Sequence, residues 1–276
     1  MKINLETLKT RCNSQIEDYF SQGEVIQTAD GPYIYKDNNA KVLAVVHLDT
    51  VRNDQWFEVL KLQNDYVIYN TQLDDRLGAY IVLDILPTLG VKCDVLLTTG
   101  EEKGRSTALY FEPTKDYNWM FSFDRRGDDV VCYRYEDKEL TYLLKDAGFF
   151  ISSGSFSDIC FLEHLQCKGM NFGVGYHNEH TVYCHVKLSE TARQLGRFLR
   201  FWKANKDKKL PHYEREFSLY DGWAEGLEFL DGFQREDVSK RLTYAAWIDN
   251  LEKKEYNIGK VKKGEESEDR SQTAIP

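Results

Sequence analysis

The sequence lacks several features that would assign it to common classes of protein. No apolar run approaches the ~20 residues that span a bilayer, and none of the six cysteines forms a C-x-x-C pair. There is no G-x-G-x-x-G after the first predicted strand and no P-loop, which argues against a nucleotide-binding α/β protein. The net charge of −9 argues against nucleic-acid binding. No internal repeat is visible.

The amino-terminal residues are typical of an amphipathic helix rather than of a secretory signal. Apolar residues recur at helical spacing from Leu5 to Phe20, which predicts a helix over residues 1–20. Scattered cysteines in a chain of 276 residues are more typical of reduced thiols than of a disulfide framework. We therefore expect a cytoplasmic protein with free thiols, and with neither a nucleic acid nor a membrane as its partner.

Changes in composition along the chain predict three regions. Hydrophobic residues make up 42% of the sequence, enough for the packed core of one substantial domain with an appendage. Residues 1–210 form the predicted main domain. Residues 211–258 are rich in aromatic and charged side chains and are predicted to be a carboxy-terminal extension, while residues 259–276 are charge-dense and predicted to be a disordered tail.

Within the main domain, strands and helices are predicted to alternate. The run KVLAVV at residues 41–46 is apolar throughout, as in a strand that is buried on both faces of a parallel sheet. Similar patterns predict strands at 94–99, 118–123, 130–135 and 170–176, a hairpin at 56–70, and helices at 77–86, 106–111, 139–147 and 189–205, the last with Ser189 as its N-cap. This order predicts an α/β fold with a mostly parallel central sheet flanked by helices.

Five short segments carry acidic residues or histidines. They are His47-Leu48-Asp49, LDDRLG at 73–78, Gly100-Glu101-Glu102, FDRRG at 123–127 and GYHNEHT at 175–181. Four of them follow a predicted strand, and ligands bind in open α/β sheets at the carboxyl ends of the strands. Each segment alone is commonly a solvated surface. Because parallel strands bring their ends to one edge, we expect the five segments to form one site.

The residue types in these segments suit a pair of divalent metal ions. Imidazole nitrogens and carboxylate oxygens bind zinc at roughly 2.0–2.2 Å, and a shared carboxylate must hold two such ions roughly 3.5–4 Å apart. Asp74-Asp75 can supply the shared carboxylate from the start of a helix. Of Glu101 and Glu102, one can bind metal while the other faces the attacking water. His177 and His185 are interpreted as supporting or surface histidines.

In this order, the five segments resemble the clan of co-catalytic zinc exopeptidases, which includes bacterial leucyl aminopeptidases, glutamyl aminopeptidases and zinc carboxypeptidases related to glutamate carboxypeptidase. LDDRLG is similar to the glutamyl aminopeptidase branch, and GYHNEHT is similar to the leucyl aminopeptidase branch. The resemblance covers roughly residues 41–202. It implies that residues 1–210 form a zinc peptidase-like catalytic domain with the fold of zinc exopeptidases.

The resemblance also implies a role for each site residue. His47 and Asp124 would bind one zinc ion, Glu102 and His180 the other, and Asp74 would bridge the two, followed by a cis peptide bond to Asp75. Co²⁺ or Mn²⁺ would also suit these ligands. Asp49 would hydrogen-bond the free ring nitrogen of His47. Glu101 would act as the general base that generates a metal-bridging hydroxide.

The spacing of the segments favours one branch of the clan. His47 and Asp74 are 27 positions apart, and Asp124 and His180 are 56 apart, which leaves no room for an inserted lid domain. The resemblance then favours an aminopeptidase acting on short peptides. An amidase or deacylase acting on small N-acyl compounds, and a non-catalytic metal-binding relative, stay open, as does the oligomeric state. The loop Ser152–Asp158 is predicted either to line the substrate pocket or to cap a helix.

Overall fold

The structure is a computed structural model, and it describes residues 3–54 and 56–213. The α-helices are α1 (Leu5–Asn13), α2 (Leu73–Tyr80), α3 (Lys138–Asp146) and α4 (Leu188–Asn205). The strands are β1 (Glu24–Thr28), β2 (Gly31–Lys36), β3 (Val42–His47), β4 (Glu58–Leu62), β5 (Asp65–Tyr69), β6 (Asp94–Thr98), β7 (Trp119–Arg125), β8 (Asp129–Val131), β9 (Phe150–Ser152), β10 (Gly169–Gly173), β11 (Tyr176–His177) and β12 (His185–Lys187).

Short helical turns connect these elements. The 3-10 turns are Ile16–Gln22, Leu86–Leu89, Glu101–Lys103, Thr107–Tyr110, Tyr133–Tyr135, Asp158–Phe161 and Glu163–Leu165, and a π-helical turn spans Ile81–Ile85. Helix α2 therefore continues through irregular turns to Leu89. The helix predicted over residues 77–86 therefore extends further, and Pro87 lies inside its last turn.

The main sheet has eight strands in the order β1-β2-β6-β3-β7-β10-β8-β9. Its four central strands, β6, β3, β7 and β10, run parallel, while β1, β2 and β8 add antiparallel pairings toward the edges. The predicted α/β fold with a mostly parallel sheet flanked by helices is confirmed. The segment between Asp124 and His180 adds strands to this sheet and, in the described residues, forms no separate lid domain.

Strand β3 occupies the centre of the sheet because every one of its residues is apolar up to His47. All six positions are buried, between β6 on one side and β7 on the other. One face of the sheet is covered by α4, whose Phe198 packs against Phe121, Phe123 and Phe172. Burying one such phenylalanine contributes about 1.5–3 kcal/mol to stability.

Helix α2 packs against β3 and β7, and α1 packs against α2. The helix predicted over residues 1–20 is shorter than expected. Asn4 caps α1 by accepting from the amides of Glu6 and Thr7, and the helix ends at Asn13 because Ser14 has an extended backbone. A capping box formed by Gln15 and Asp18 then starts a separate 3-10 turn.

A second, four-stranded sheet has the order β11-β12-β5-β4. It contains the hairpin predicted over residues 56–70, now β4 and β5, and a second hairpin formed by β11 and β12. The loop of this second hairpin carries His180. The sequence pattern predicted 170–176 as one strand, whereas the structure divides it between β10 in the main sheet and β11 in the small one.

The prediction that Ser189 is the N-cap of α4 is wrong. The helix starts at Leu188 after Lys187, so Ser189 lies in its first turn. Its amide and hydroxyl both donate to the carboxylate of Asp65 on β5, at 3.0 and 2.5 Å. A carboxylate distant in sequence therefore satisfies the free amide that a local cap would have taken.

The described residues bear on the remaining sequence predictions to different extents. All six cysteines are free and buried, as expected for reduced thiols. No helix within 3–54 and 56–213 is long and apolar enough to cross a membrane. Beyond residue 210, His212 is buried and its amide donates to Gln166. The rest of the predicted extension and the predicted tail, residues 214–276, lie outside the described residues.

Candidate metal centre

The five polar segments come together because the fold places strand ends at one edge of the main sheet. His47 is the last residue of β3, Glu101 and Glu102 follow β6, and Asp124 lies near the end of β7. These three strands are parallel and adjacent, so their carboxyl ends lie side by side. Asp74 reaches the same edge from the start of α2.

A first group of ligand atoms comprises His47, Asp74 and Asp124. The Nε2 atom of His47 lies 3.2 Å from Asp124 Oδ1 and 3.4 Å from Asp74 Oδ1. One ligand atom from each residue lies within 4.8 Å of the others. The imidazole is only 1% exposed. This spacing is suited to one metal ion held between the three side chains.

A second group comprises Asp74, Glu102 and His180. The Nε2 atom of His180 lies 3.1 Å from Asp74 Oδ2 and 3.2 Å from Glu102 Oε2. Asp74 therefore directs one oxygen to each group, which is the arrangement that a bridging carboxylate requires. The structure brings together all five residues predicted as metal ligands, in two groups that share Asp74.

Local backbone geometry directs these side chains to the site. The peptide bond between Asp74 and Asp75 is cis, as the resemblance implied. The absence of a side chain at Gly78 leaves room for the carboxylate of Asp75, since a Cβ atom at Gly78 would lie 1.9 Å from Asp75 Oδ1. His180 has a positive φ of 62°, which turns it at the tip of the β11–β12 loop.

Asp49 contacts the site differently from the implied arrangement. Its carboxylate lies 3.8 Å from His47 Nδ1, whereas its main-chain carbonyl accepts a hydrogen bond from that nitrogen at 2.9 Å. The carboxylate instead accepts from the amides of Glu101 and Glu102, at 3.3 and 3.1 Å. These amides are the first of a 3-10 turn and have no hydrogen-bond acceptor within it. The nearby carboxylate of Asp49 therefore accepts their hydrogen bonds.

Glu101 belongs to neither ligand group, but it interacts electrostatically with both. Burial raises the pKa of Glu101 well above its usual value, and the negative charges of Asp124, Asp158 and Asp74 add to this effect while His47 opposes it. A raised pKa brings a carboxylate closer to the operating range of a general base at neutral pH. That Glu101 is the general base stays a prediction.

Burial and crowding of carboxylates dominate the electrostatics of the site. Burial raises the pKa of Asp124 to about 7 despite the neighbouring His47. It also raises the pKa of Asp75 well above its usual value. Hydrogen bonds to Asp74 and Glu102 raise the pKa of His180 to about 10. In the absence of metal, a proton on His180 thus compensates part of the negative charge.

The residues present fit a divalent metal pair. Glu102 Oε1 is buried and has no hydrogen-bond partner among the described residues. An unsatisfied buried acceptor costs about 1–3 kcal/mol, and more when it is charged. A bound cation would satisfy this oxygen and relieve the repulsion among the carboxylates. The donor set of two imidazoles and three carboxylates, without sulfur, suits zinc and similar ions.

Comparisons with known proteins identify the fold. No family model and no curated protein sequence matches this chain. A tripeptidase from Staphylococcus aureus has 11% sequence identity and a TM-score of 0.53, with 74% of this chain and 98% of that chain covered. PhTET1-12s, solved as a dodecamer, has 11% identity and a TM-score of 0.51, covering 73% of this chain and 99% of its own.

This chain has the fold of the Staphylococcus aureus tripeptidase. The resemblance predicted from the five segments is thereby confirmed at the level of the fold. The aminopeptidase PepT from Bacillus cereus is also similar, with 11% identity and a TM-score of 0.49 over 72% of this chain and 98% of its own. At such low identity, the roles of individual residues rest on the geometry of this chain.

On this fold, two polar residues contact Asp124 that the sequence did not assign to the metal centre, Ser157 and Asn171, and Asp158 follows Ser157 in the chain. Ser157 donates from Oγ to Asp124 Oδ2 at 3.0 Å, and Asn171 hydrogen-bonds the backbone of Asp124. Asp158 is buried and accepts from the hydroxyl of Thr98 at the end of β6. Asn171 could have been noticed as a polar residue inside an apolar strand. No local pattern indicates the contacts of Ser157 and Asp158.

The contacts of Ser157 bear on one of the two predictions made for the loop Ser152–Asp158. Ser157 precedes the 3-10 turn Asp158–Phe161, but its side chain makes no capping hydrogen bond there. It donates to Asp124 instead, so Ser157 does not cap this turn with its side chain. That the loop lines the substrate pocket stays a prediction. His177 and His185 stay outside both ligand groups: His177 pairs with Glu190 at 2.7 Å, and the two imidazole rings lie 5.5 Å apart.

Proposed function

We propose that this chain is a di-zinc aminopeptidase that removes the amino-terminal residue from short peptides. The observation that carries the proposal is the sharing of Asp74 between two groups of ligand atoms, with Glu101 beside them. The exopeptidase fold supports it. The absence of a lid domain among the described residues favours an aminopeptidase over a carboxypeptidase whose lid helps to bind the substrate carboxylate.

The proposed ligands are His47 and Asp124 for one ion, Glu102 and His180 for the other, and Asp74 for both. When bound, the ions would polarise the scissile carbonyl and make water more acidic. Glu101 takes the proton from the attacking water and then returns it to the leaving amine. Asp49 holds the backbone of Glu101 and Glu102, so the base and its neighbouring ligand keep a fixed relative position.

Metal analysis paired with a substrate panel tests this proposal. The purified full chain is expected to contain about two zinc ions and to hydrolyse aminoacyl anilides and short peptides with free amino termini. The same peptides with acetylated amino termini are the matched control and are expected to stay intact. Incubation with a chelator is expected to abolish hydrolysis, and added zinc to restore it.

Three results would contradict parts of the proposal. Hydrolysis of N-acyl amino acids but not of free peptides would identify an amidase or deacylase with the same metal centre. Two bound ions without hydrolysis of any substrate would identify a non-catalytic metal-binding protein. A chain that binds no divalent metal would reject the proposal altogether.

A further inference from the structure

The pairing between β7 and β10 is interrupted beside Asp124. Asn171 lies opposite Ser122, but the next paired residue on β10, Gly173, lies opposite Arg125. Strand β7 therefore holds one residue more than β10 over this stretch, which is a β-bulge. Bulges redirect side chains and leave main-chain groups without their ladder partners. Here Phe123 enters the core while Asp124 reaches the site.

The side chain of Asn171 replaces the missing ladder contacts. Its Oδ1 accepts from the amide of Asp124 at 3.1 Å, and its Nδ2 donates to the carbonyl of Asp124 at 2.8 Å. The same Nδ2 lies 3.1 Å from the hydroxyl of Tyr133. Asn171 is only 1% exposed. A buried amide thus satisfies both main-chain groups of the bulged residue, which would otherwise be costly to bury.

Ser157 contacts the carboxylate of Asp124 itself. Its Oγ donates to Asp124 Oδ2 at 3.0 Å, and the residue is fully buried. Asp124 Oδ1, the other oxygen, faces His47 Nε2 at 3.2 Å. The two oxygens of the carboxylate therefore have separate partners, one in the protein framework and one in the candidate metal centre.

We propose that Ser157 and Asn171 are positioning residues that hold the Asp124 carboxylate with only Oδ1 directed at the metal ion shared with His47. The inference rests on the proposed function. Removing partners that orient a metal ligand typically costs about 10–100-fold in metal affinity. Because neither residue contacts Glu102 or His180, the loss falls on one ion and leaves the other bound.

Metal titration of the metal-free full chain tests this, with Zn²⁺ followed by calorimetry and Co²⁺ by its absorption spectrum. Ser157→Ala is expected to weaken the binding of one of the two ions about 10–100-fold and to change the Co²⁺ spectrum. Ser157→Thr, which keeps the hydroxyl, is expected to show the metal affinity and the Co²⁺ spectrum of the wild-type chain. The matched control is Ser122→Ala on β7, since Ser122 is equally buried and its Oγ has no hydrogen-bond partner among the described residues.

Two further variants locate the effect. Repeating the titration in a Glu102→Gln background leaves only the His47 site, where Ser157→Ala is expected to act. Asn171→Asp keeps the size of the side chain but removes its donor, and is expected to weaken the same ion. Asn205→Asp in α4, where the buried amide donates to Phe201, controls for burying a new carboxylate.

The outcomes separate this inference from the proposed function. A wild-type chain that binds two ions, with Ser157→Ala equal to it in affinity and spectrum, overturns the positioning role alone. Equal weakening by Ser122→Ala overturns it too, since that is a general loss of stability. A wild-type chain without metal overturns both proposals. If Ser157→Ala does not fold, Ser157→Cys, with its weaker donor, replaces it with the same expectation.

Discussion

The carboxylate of Asp49 accepts a hydrogen bond from the backbone amide of Glu102, with 3.1 Å between Oδ2 and the amide nitrogen. The other carboxylate oxygen accepts from the amide of Glu101 at 3.3 Å. One side chain therefore orients the proposed base and a proposed metal ligand together. The ring of His47 is held by the Asp49 main chain instead, which a substitution at Asp49 would leave in place.

Asp49→Asn tests this difference. The amide can accept at only one of its two positions, so we expect about 10–100-fold lower activity. The weakened metal site should be that of Glu102 and His180. Weakening at the His47 site would instead support a contact between the Asp49 carboxylate and His47. Asp54→Asn, on the same segment and paired with Arg52, is the control and should retain wild-type activity.

Substituting the two adjacent glutamates should have different effects. Glu101→Gln is expected to lower kcat by about 10²–10⁴-fold, the usual contribution of a general base, with both ions retained. Glu102→Gln is expected to lose one ion as well as activity. Elemental analysis beside steady-state kinetics distinguishes the two. Wild-type activity in Glu101→Gln would exclude this residue as the base.

Metal binding should release protons and strengthen as the pH rises. Asp74 and Glu102 raise the pKa of His180 to about 10 in the metal-free chain, so the imidazole is protonated at pH 7, whereas a metal ligand must be neutral. The ion pairs of His180 stabilise the metal-free fold fully below the unfolded pKa of about 6.5. That contribution is lost as the pH rises through about 10.

Calorimetry in two buffers of different ionisation enthalpy measures this proton release. We expect more than one proton per chain at pH 7, because Asp124 also raises the pKa of His47 against the effect of its burial and the pKa of Asp124 itself is about 7. Affinity at the His180 site should increase toward pH 10. His177→Gln, in the same hairpin but outside both ligand groups, should leave the proton count unchanged. Affinity independent of pH between 7 and 9 would contradict the raised pKa.

Gly78 and Gly196 should respond in opposite directions to substitution by alanine. A Cβ atom at Gly78 would lie 1.9 Å from Asp75 Oδ1 and 2.9 Å from the carbonyl of Phe123. The second contact is to backbone, so we expect Gly78→Ala to cost about 1–3 kcal/mol. Gly196 lies within α4 with no atom near its added Cβ, and Gly196→Ala should gain up to about 1 kcal/mol.

Urea unfolding of the two variants measures these changes. Since Asp75 follows the proposed bridging residue, Gly78→Ala should also weaken metal binding, whereas Gly196→Ala should not. If the Gly78→Ala protein were as stable as wild type, the residues around Gly78 would be able to move away from the added Cβ atom at no cost in stability.

Much of the site could be anticipated because the strands that support it are buried on both faces. A strand such as β3 must be apolar along its whole length. The first polar residues after the apolar run, His47 and Asp49, therefore mark its carboxyl end in the sequence. Strand β6 before Glu101 and strand β7 before Asp124 are mostly apolar and show a similar pattern. Parallel strands then bring these residues to one edge as a matter of geometry. The amino-terminal hairpin β1–β2 and the hairpin β11–β12 of the small sheet escaped this reasoning.

The sequence by itself determined which residues could meet at the sheet edge, because hydrophobic burial is recorded in the local pattern of side chains. Only the tertiary structure decided how they are held. The bulge opposite Asn171, the hydroxyl of Ser157 on Asp124 and the carboxylate of Asp49 on two amides all depend on strand register and on contacts across 33 to 53 positions of chain. Such contacts form through space, so no local pattern records them.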